Sequence, residues 1–223
     1  MIGCFVTGTD TAVGKTLASA ALLHALRRHH RRVVGMKPIA AGAVRVGAEW
    51  ASEDAMSLRA ASNVVVPPEL DNPVLLREPM SPHLAAARAG VRIDIAQIVH
   101  RYRQLTRLAD AVVVEGSGGF HVPLSETQTG ADLAQALALP VILVVGLRLG
   151  CLNHALLTAE AIRARGLLLD GWIANRIDPA MAAASENIDF LGNRLQAPLL
   201  ADIAHGNTDA RSIPLELPAG WWH

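Results

Sequence analysis

Of the 20 Lys and Arg residues in the chain only two are lysines, Lys15 and Lys37, and each follows a predicted strand. A compact ammonium suits a crowded phosphate site in a way that a planar guanidinium does not, so both read as functional. Lys15 lies near the end of Gly8-Thr9-Asp10-Thr11-Ala12-Val13-Gly14-Lys15-Thr16, after the apolar run Ile2-Gly3-Cys4-Phe5-Val6 and before a helical pattern over 17–26. A buried strand, a glycine-bounded loop and a helix in that order form a phosphate-binding context. Loop and first-turn N–H groups converge on one spot, and the helix dipole adds positive potential there. Lys15 then reaches the β/γ-phosphates and the Thr16 hydroxyl holds Mg²⁺. Thr9 occupies the usual place of the first glycine, with Gly8 one residue earlier, but the Gly14-Lys15-Thr16 ending is intact.

The other candidates lie at predicted carboxyl ends of strands, where open parallel sheets bind ligands. Lys37 follows the strand 32–36 and faces the same crevice as Lys15, unless it merely closes the strand. Glu115 ends the apolar strand 111–114, just before a glycine-rich turn, Gly116-Ser117-Gly118-Gly119, placed to meet Mg²⁺. Asn175 ends the strand 171–175, either to read a base edge or to close a turn. Asp54 falls in the first turn of a helix opening near Ser52-Glu53-Asp54, where capping is the plain alternative. The amides at Gly150-Cys151-Leu152-Asn153, opening a helix to residue 165, form a second anion site.

The remaining elements are those that must hold these groups. Ile39-Ala40-Ala41-Gly42-Ala43 leads into a variable loop through Trp50, followed later by a Pro-rich loop over 67–73 and a short strand or extended piece, 74–76. Helices are expected over 83–89 with Pro82 at the first position, 95–108, 131–139 and 182–195, with strands at 140–146 and 198–203. The alternation predicts an α/β fold, doubly wound, with a mainly parallel sheet and helices on both faces, in one domain over 1–223. The tail that ends in Trp221-Trp222-His223 shows no helical period.

A formal charge of +0 provides no global field for nucleic acid or an anionic membrane. The basic run Arg27-Arg28-His29-His30-Arg31-Arg32 reads as a solvated helix end. Two cysteines, Cys4 and Cys151, do not make a disulfide framework and fit a reducing cytoplasm. No leader is expected, and the apolar runs are strand-sized rather than membrane-sized.

The ordered set of the phosphate loop, Met36-Lys37-Pro38, Val114-Glu115-Gly116-x-Gly118-Gly119 and Val144-Val145-Gly146-x-x-x-Gly150-Cys151-x-Asn153-His154 closely resembles dethiobiotin synthetase over almost the whole chain. The resemblance implies a P-loop NTPase-type fold and a homodimeric, Mg²⁺- and ATP-dependent cyclo-ligase that closes a ureido ring on 7,8-diaminononanoate with CO2. It implies nucleotide contacts along Ala12, Val13, Gly14, Lys15, Thr16 and Leu17, with Thr11 and Lys15 on the phosphates and Gly116, Ser117 and Gly118 beside them. Thr16, Asp54 and Glu115 would surround the metal. Lys37 would hold the carbamate and the transferring phosphoryl group, with Ala41 and Gly118 near the substrate. Asn175 would meet adenine beside Arg176 and Ala204-His205-Gly206, and the amides of 150–153 would receive the substrate carboxylate from the neighbouring subunit.

Two positions depart from the family. Ala12 replaces a glutamate and Ala41 a serine, so both are limited to main-chain contacts. A partitioning or cell-division nucleotide switch on the same fold is the rival class, but it usually carries a further lysine early in the loop, where this chain has Thr9 and Asp10. Amidotransferase-type synthetases need a further domain, and a silent paralogue is the third alternative.

Overall fold

The computed structural model describes residues 2–221. The elements in chain order are β1 (Ile2–Gly8), α1 (Lys15–Leu26), β2 (Val33–Met36), β3 (Ile39–Ala41), β4 (Val44–Val46), β5 (Glu49–Ala51), α2 (Glu53–Ala61), α3 (Pro68–Asp71), β6 (Val74–Leu76), α4 (Pro82–Ala89), α5 (Ile95–Leu108), β7 (Ala111–Gly119), α6 (Gly130–Leu137), β8 (Val141–Gly146), α7 (Cys151–Ala164), β9 (Leu169–Asn175), α8 (Ala184–Arg194) and β10 (Leu199–Ile203). Six strands form one parallel sheet in the order β10-β9-β8-β1-β7-β2.

Alternate side chains of the central strands enter two cores, which is why their sequences are apolar throughout. Phe5, Val112, Val114, Leu143 and Val145 pack towards α5, α6, α7 and α8. Cys4, Val6, Val113, Ile142 and Val144 pack towards α1 and α2. Among the described residues only a single 3-10 turn, Ala210–Ser212, follows β10. Instead, the extended segment after it covers that second face with Ile213, Leu215, Leu217 and Trp221, and Trp221 Nε1 donates to Asp170 at 2.9 Å. The tail therefore docks as far as Trp221, whereas Trp222 and His223 lie outside the described residues.

Three expectations need correction. The stretch from residue 44 to Trp50 is not a loop: β4 and β5 form an exposed hairpin around Gly47, with Arg45 and Arg77 stacked on Trp50, while β3 just before it pairs with β6. The Pro-rich stretch holds the single-turn helix α3, with Pro68 at its first position. Gly116–Gly119 is not a turn but the continuation of β7, which pairs Gly8 with Gly119 after a register shift. The glycine at 116 permits close approach, since a Cβ there would lie 2.9 Å from the Phe5 ring.

Candidate active site

The phosphate loop crosses the carboxyl edge between β1 and α1. Ala12 and Gly14 both have positive φ, +58° and +88°, so the loop turns back on itself before the helix begins. Its N–H groups in the first turn of α1 have no intrahelical acceptor. Asn175 supports the loop from β9: its Nδ2 donates to the Val13 carbonyl at 2.9 Å, and a Cβ on Gly14 would stand 2.1 Å from that nitrogen. The side chain expected to meet adenine thus spends an amide hydrogen on the loop.

Five groups converge beneath the loop. Thr16 Oγ1 lies 2.9 Å from both Asp54 Oδ1 and Glu115 Oε1. Lys37 Nζ lies 2.6 Å from Glu115 Oε1 and 2.8 Å from Asp54 Oδ2. Lys15 Nζ donates to the Asp10 carbonyl at 3.1 Å. Asp54 is available because Ser52 takes the cap of α2, accepting from the Ala55 amide at 3.2 Å.

Burial sets the electrostatics. It pushes Lys15 down to about 8, and the nearby Lys37 charge acts in the same direction. Burial opposes the Lys37 charge too, yet Glu115 and Asp54 outweigh it and hold that ammonium above the ordinary lysine value. Burial would raise Asp54, and Lys37 more than reverses this.

A single hydroxyl has one proton, so Thr16 cannot donate to two carboxylates at once. Glu115 is fully buried, and its Oε2 has no hydrogen-bond partner. An orphaned buried carboxylate oxygen beside a second carboxylate and a hydroxyl is the donor set of a hard cation completed by phosphate and water, as Mg²⁺ is. The residues present fit that ion.

A cleft of about 720 Å³ opens beside them, lined by Thr11, Ala12, Gly14, Lys15, Thr16, Lys37, Asp54, Glu115, Ser117 and Gly118 and walled further out by Ala40, Ala41, Met80 and Val122. Thr11 and Gly118 adjoin, a Cβ on the latter lying 3.5 Å from Thr11 Oγ1. Ser117 donates to the Ile39 carbonyl, tying β7 to β3. A larger hollow of about 930 Å³ shares Thr16 with the cleft, is lined also by Leu17, and runs between α1, α2 and residues 207–211.

The remaining expected residues sit apart from the cleft. Arg176 is held by Asp202 through two bonds, at 2.9 and 2.7 Å, and its carbonyl meets His205 Nδ1 at 2.9 Å, so Ala204, His205 and Gly206 do adjoin Asn175 and Arg176. None of residues 150–153 lines the cleft. The Cys151 amide, expected to be unpaired, donates to the Arg148 carbonyl at 3.0 Å, because the chain tightens into a turn before α7. Arg148, two residues before that terminus, turns to Asp10 of the phosphate loop. Sequence reasoning overlooked Arg59, Asp71 and Asn72, which back Lys37; the buried Asp-Asn-Pro run was their only signal.

The model of an AAA domain family, AAA_26, matches residues 3–207. The chain belongs to this AAA domain family. Among solved structures, the MinC:MinD cell division complex of Aquifex aeolicus superposes with a TM-score of 0.57 at 16% identity, covering 92% of this chain and 82% of that one. A ParA family ATPase from Chlorobium tepidum TLS gives 0.54 at 14%, covering 93% and 86%. The signal recognition particle 54 kDa protein of Aeropyrum pernix K1, in complex with GDP, gives 0.55 at 17%, covering 96% of this chain but 43% of that one. At such identities the likeness is one of fold, and this member of the AAA domain family has the P-loop NTPase fold. Among the described residues no helix is long and apolar enough to cross a membrane.

Proposed function

We propose that the protein is a dethiobiotin synthetase, a cytoplasmic homodimer that forms the ureido ring from 7,8-diaminononanoate, CO2 and ATP. The observation that carries this reading is Lys37: a second buried ammonium, 2.6 Å from the carboxylate that also meets Thr16, on the wall of a cleft. A nucleotide switch needs the phosphate loop alone. A lysine opposite it, with a partly apolar cleft beyond, suits an enzyme that delivers the phosphoryl group to a bound acceptor.

In this reading one amine of the substrate, as its carbamate, attacks the γ-phosphorus through oxygen, and ADP leaves. The second amine then attacks the carbonyl of the mixed anhydride, the ring closes, and phosphate departs. Lys15 and the amides of Ala12, Val13 and Gly14 hold the phosphates, with Thr11 beside them; Leu17 and the Asn175-Arg176 and 204–206 edge take the nucleoside. Thr16, Asp54 and Glu115 would hold Mg²⁺, which when bound neutralises charge on the phosphates. Lys37 turns from its carboxylates to the carbamate and the transferring group, offsetting charge that spreads in the transition state. Ala41, Gly116, Ser117 and Gly118 shape the acceptor end by main chain and close packing. The far carboxylate goes to the partner subunit's helix start at 150–153, to the amides of Gly150, Leu152 and Asn153, since that of Cys151 is already bonded to the Arg148 carbonyl and none of these residues lines this chain's own cleft.

Phosphate release measured with and without diaminononanoate tests the reading. Release that rises many-fold with the diamine is expected. Release indifferent to the diamine would assign the chain to the switch ATPases.

A further inference from the structure

β2 is the edge strand of the sheet, so Lys37, one residue beyond it, has sheet neighbours on one side only. Its other side is closed by residues 71–74. Lys37 N donates to the Asp71 carbonyl at 2.7 Å, and Val74 N donates to the Pro38 carbonyl at 3.1 Å. Between these two bonds the partner strand should supply a further N–H, but the residue there is Pro73, which has none. Asn72 fills the gap, its Nδ2 donating to the Lys37 carbonyl at 2.7 Å.

The segment is itself anchored. Asp71 is 2% exposed and forms a two-bond pair with Arg59, through Nε at 2.6 Å and Nη2 at 2.5 Å. Arg59 belongs to α2, which also carries Asp54, and Asp54 meets Lys37 Nζ at 2.8 Å. The contacts close a ring: α2 to Asp71, Asp71-Asn72 to the Lys37 main chain, and the Lys37 ammonium back to α2. A ring of this kind, buried at Lys37, Asp71 and Asn72, restrains the lysine's main chain more than its side chain.

We propose that Asn72 is a positioning residue, which, with the Arg59–Asp71 pair, fixes the peptide of Lys37 and so aims its ammonium into the cleft. This rests on the reading of Lys37 as the group that serves the phosphoryl acceptor. Small misplacements of such a group are costly, about 10²-fold for an ångström.

The chain has two lysines, so protein grown with 13Cε-lysine gives one NMR signal from each. Asn72→Ala and the near-isosteric Asn72→Asp, which lacks the donor, are compared with the unaltered protein. The Lys37 signal is expected to shift and broaden while that of Lys15 stays. Diamine-dependent turnover falls roughly 10- to 100-fold, with the KM for ATP unchanged. An unmoved Lys37 signal overturns the proposal, as does a joint shift of both signals with a raised KM for ATP. Should the Asn72 variants not fold, Arg59→Met, which alters a partly exposed side chain, decides the matter by the same signals, with a smaller loss expected. If the unaltered protein shows no response to diamine, the proposed reaction fails, while the lysine signals still decide the brace.

Discussion

The two ends of the proposed substrate path are built in opposite ways. Around Lys37 the chain closes on itself: the ammonium is 4% exposed and Glu115 0% exposed, with only Asp54 half open to the cleft. Around Gly150 the main chain is open, although Cys151 points into the core. A Cβ there would meet nothing within 4 Å, Leu149 is 94% exposed, and Leu157 on the same helix is 56% exposed. A buried ammonium and carboxylate are tolerated because each offsets the desolvation of the other. An amide cluster with no wall opposite it gains meaning when a second surface arrives. In the proposed reaction the near end is a property of the single chain, and the far end would be completed by an isologous partner.

The largest effect should come from the closed end. Lys37→Ala is expected to lower diamine-dependent turnover by orders of magnitude, and Lys37→Arg to fail as well, because the planar fork does not fit the space of one ammonium. Turnover within tenfold of the original in a steady-state assay would show that chemistry lies elsewhere. Leu152→Asp attacks the open end. It should yield monomers in sedimentation that still bind ATP but have lost ligase activity, and an active monomer would erase the difference between the two ends.

Smaller effects sharpen the contrast. Gly14→Ala must adopt positive φ and displace Asn175, at a cost of at least about 2 kcal/mol in chemical denaturation. Gly150→Ala, with the same backbone strain but open space, should cost about 1 kcal/mol. The smallest effect is on pH. Phosphate favours charged Lys15, which in the free protein loses its proton near 8. ADP binding measured in EDTA should therefore be flat below pH 7 and weaken above about 8, by at most tenfold per pH unit. Between 8 and 10.5 the unfolded chain holds more protons at this lysine than the folded one, so its contribution to stability rises with pH across that window. Binding that strengthens with pH would contradict a phosphate contact.

Much of this fold is readable from the chain because its central strands are buried on both faces. Val112, Val113 and Val114, or Val141 to Val145, leave little else to conclude. The hairpin β4–β5 was illegible since its strands are three residues long and mostly exposed. The tail failed for a different reason. Ile213, Leu215 and Leu217 alternate, but an extended segment lying on a sheet face lacks a ladder's context. Within the site, residue types at strand ends were visible, whereas partner choice was not. Ser52 and Asp54 compete for one cap, and only the tertiary fold, by bringing Lys37 to Asp54, decides which is released. The Gly116 to Gly119 run looked like a turn because glycine signals both turning and close approach.

The bond from Asn175 to the Val13 carbonyl has a thermodynamic consequence. Flexible phosphate-gripping loops lose conformational entropy when the ligand arrives, and that loss subtracts from affinity. Here a side chain from a strand two places away in the sheet pins the loop from behind. The entropy of ordering Gly8 to Gly14 is surrendered once, when the chain folds, and the nucleotide meets a cradle already in shape. Calorimetry should then show ADP binding with a small heat-capacity change, and loosening Asn175 should weaken binding mainly through entropy.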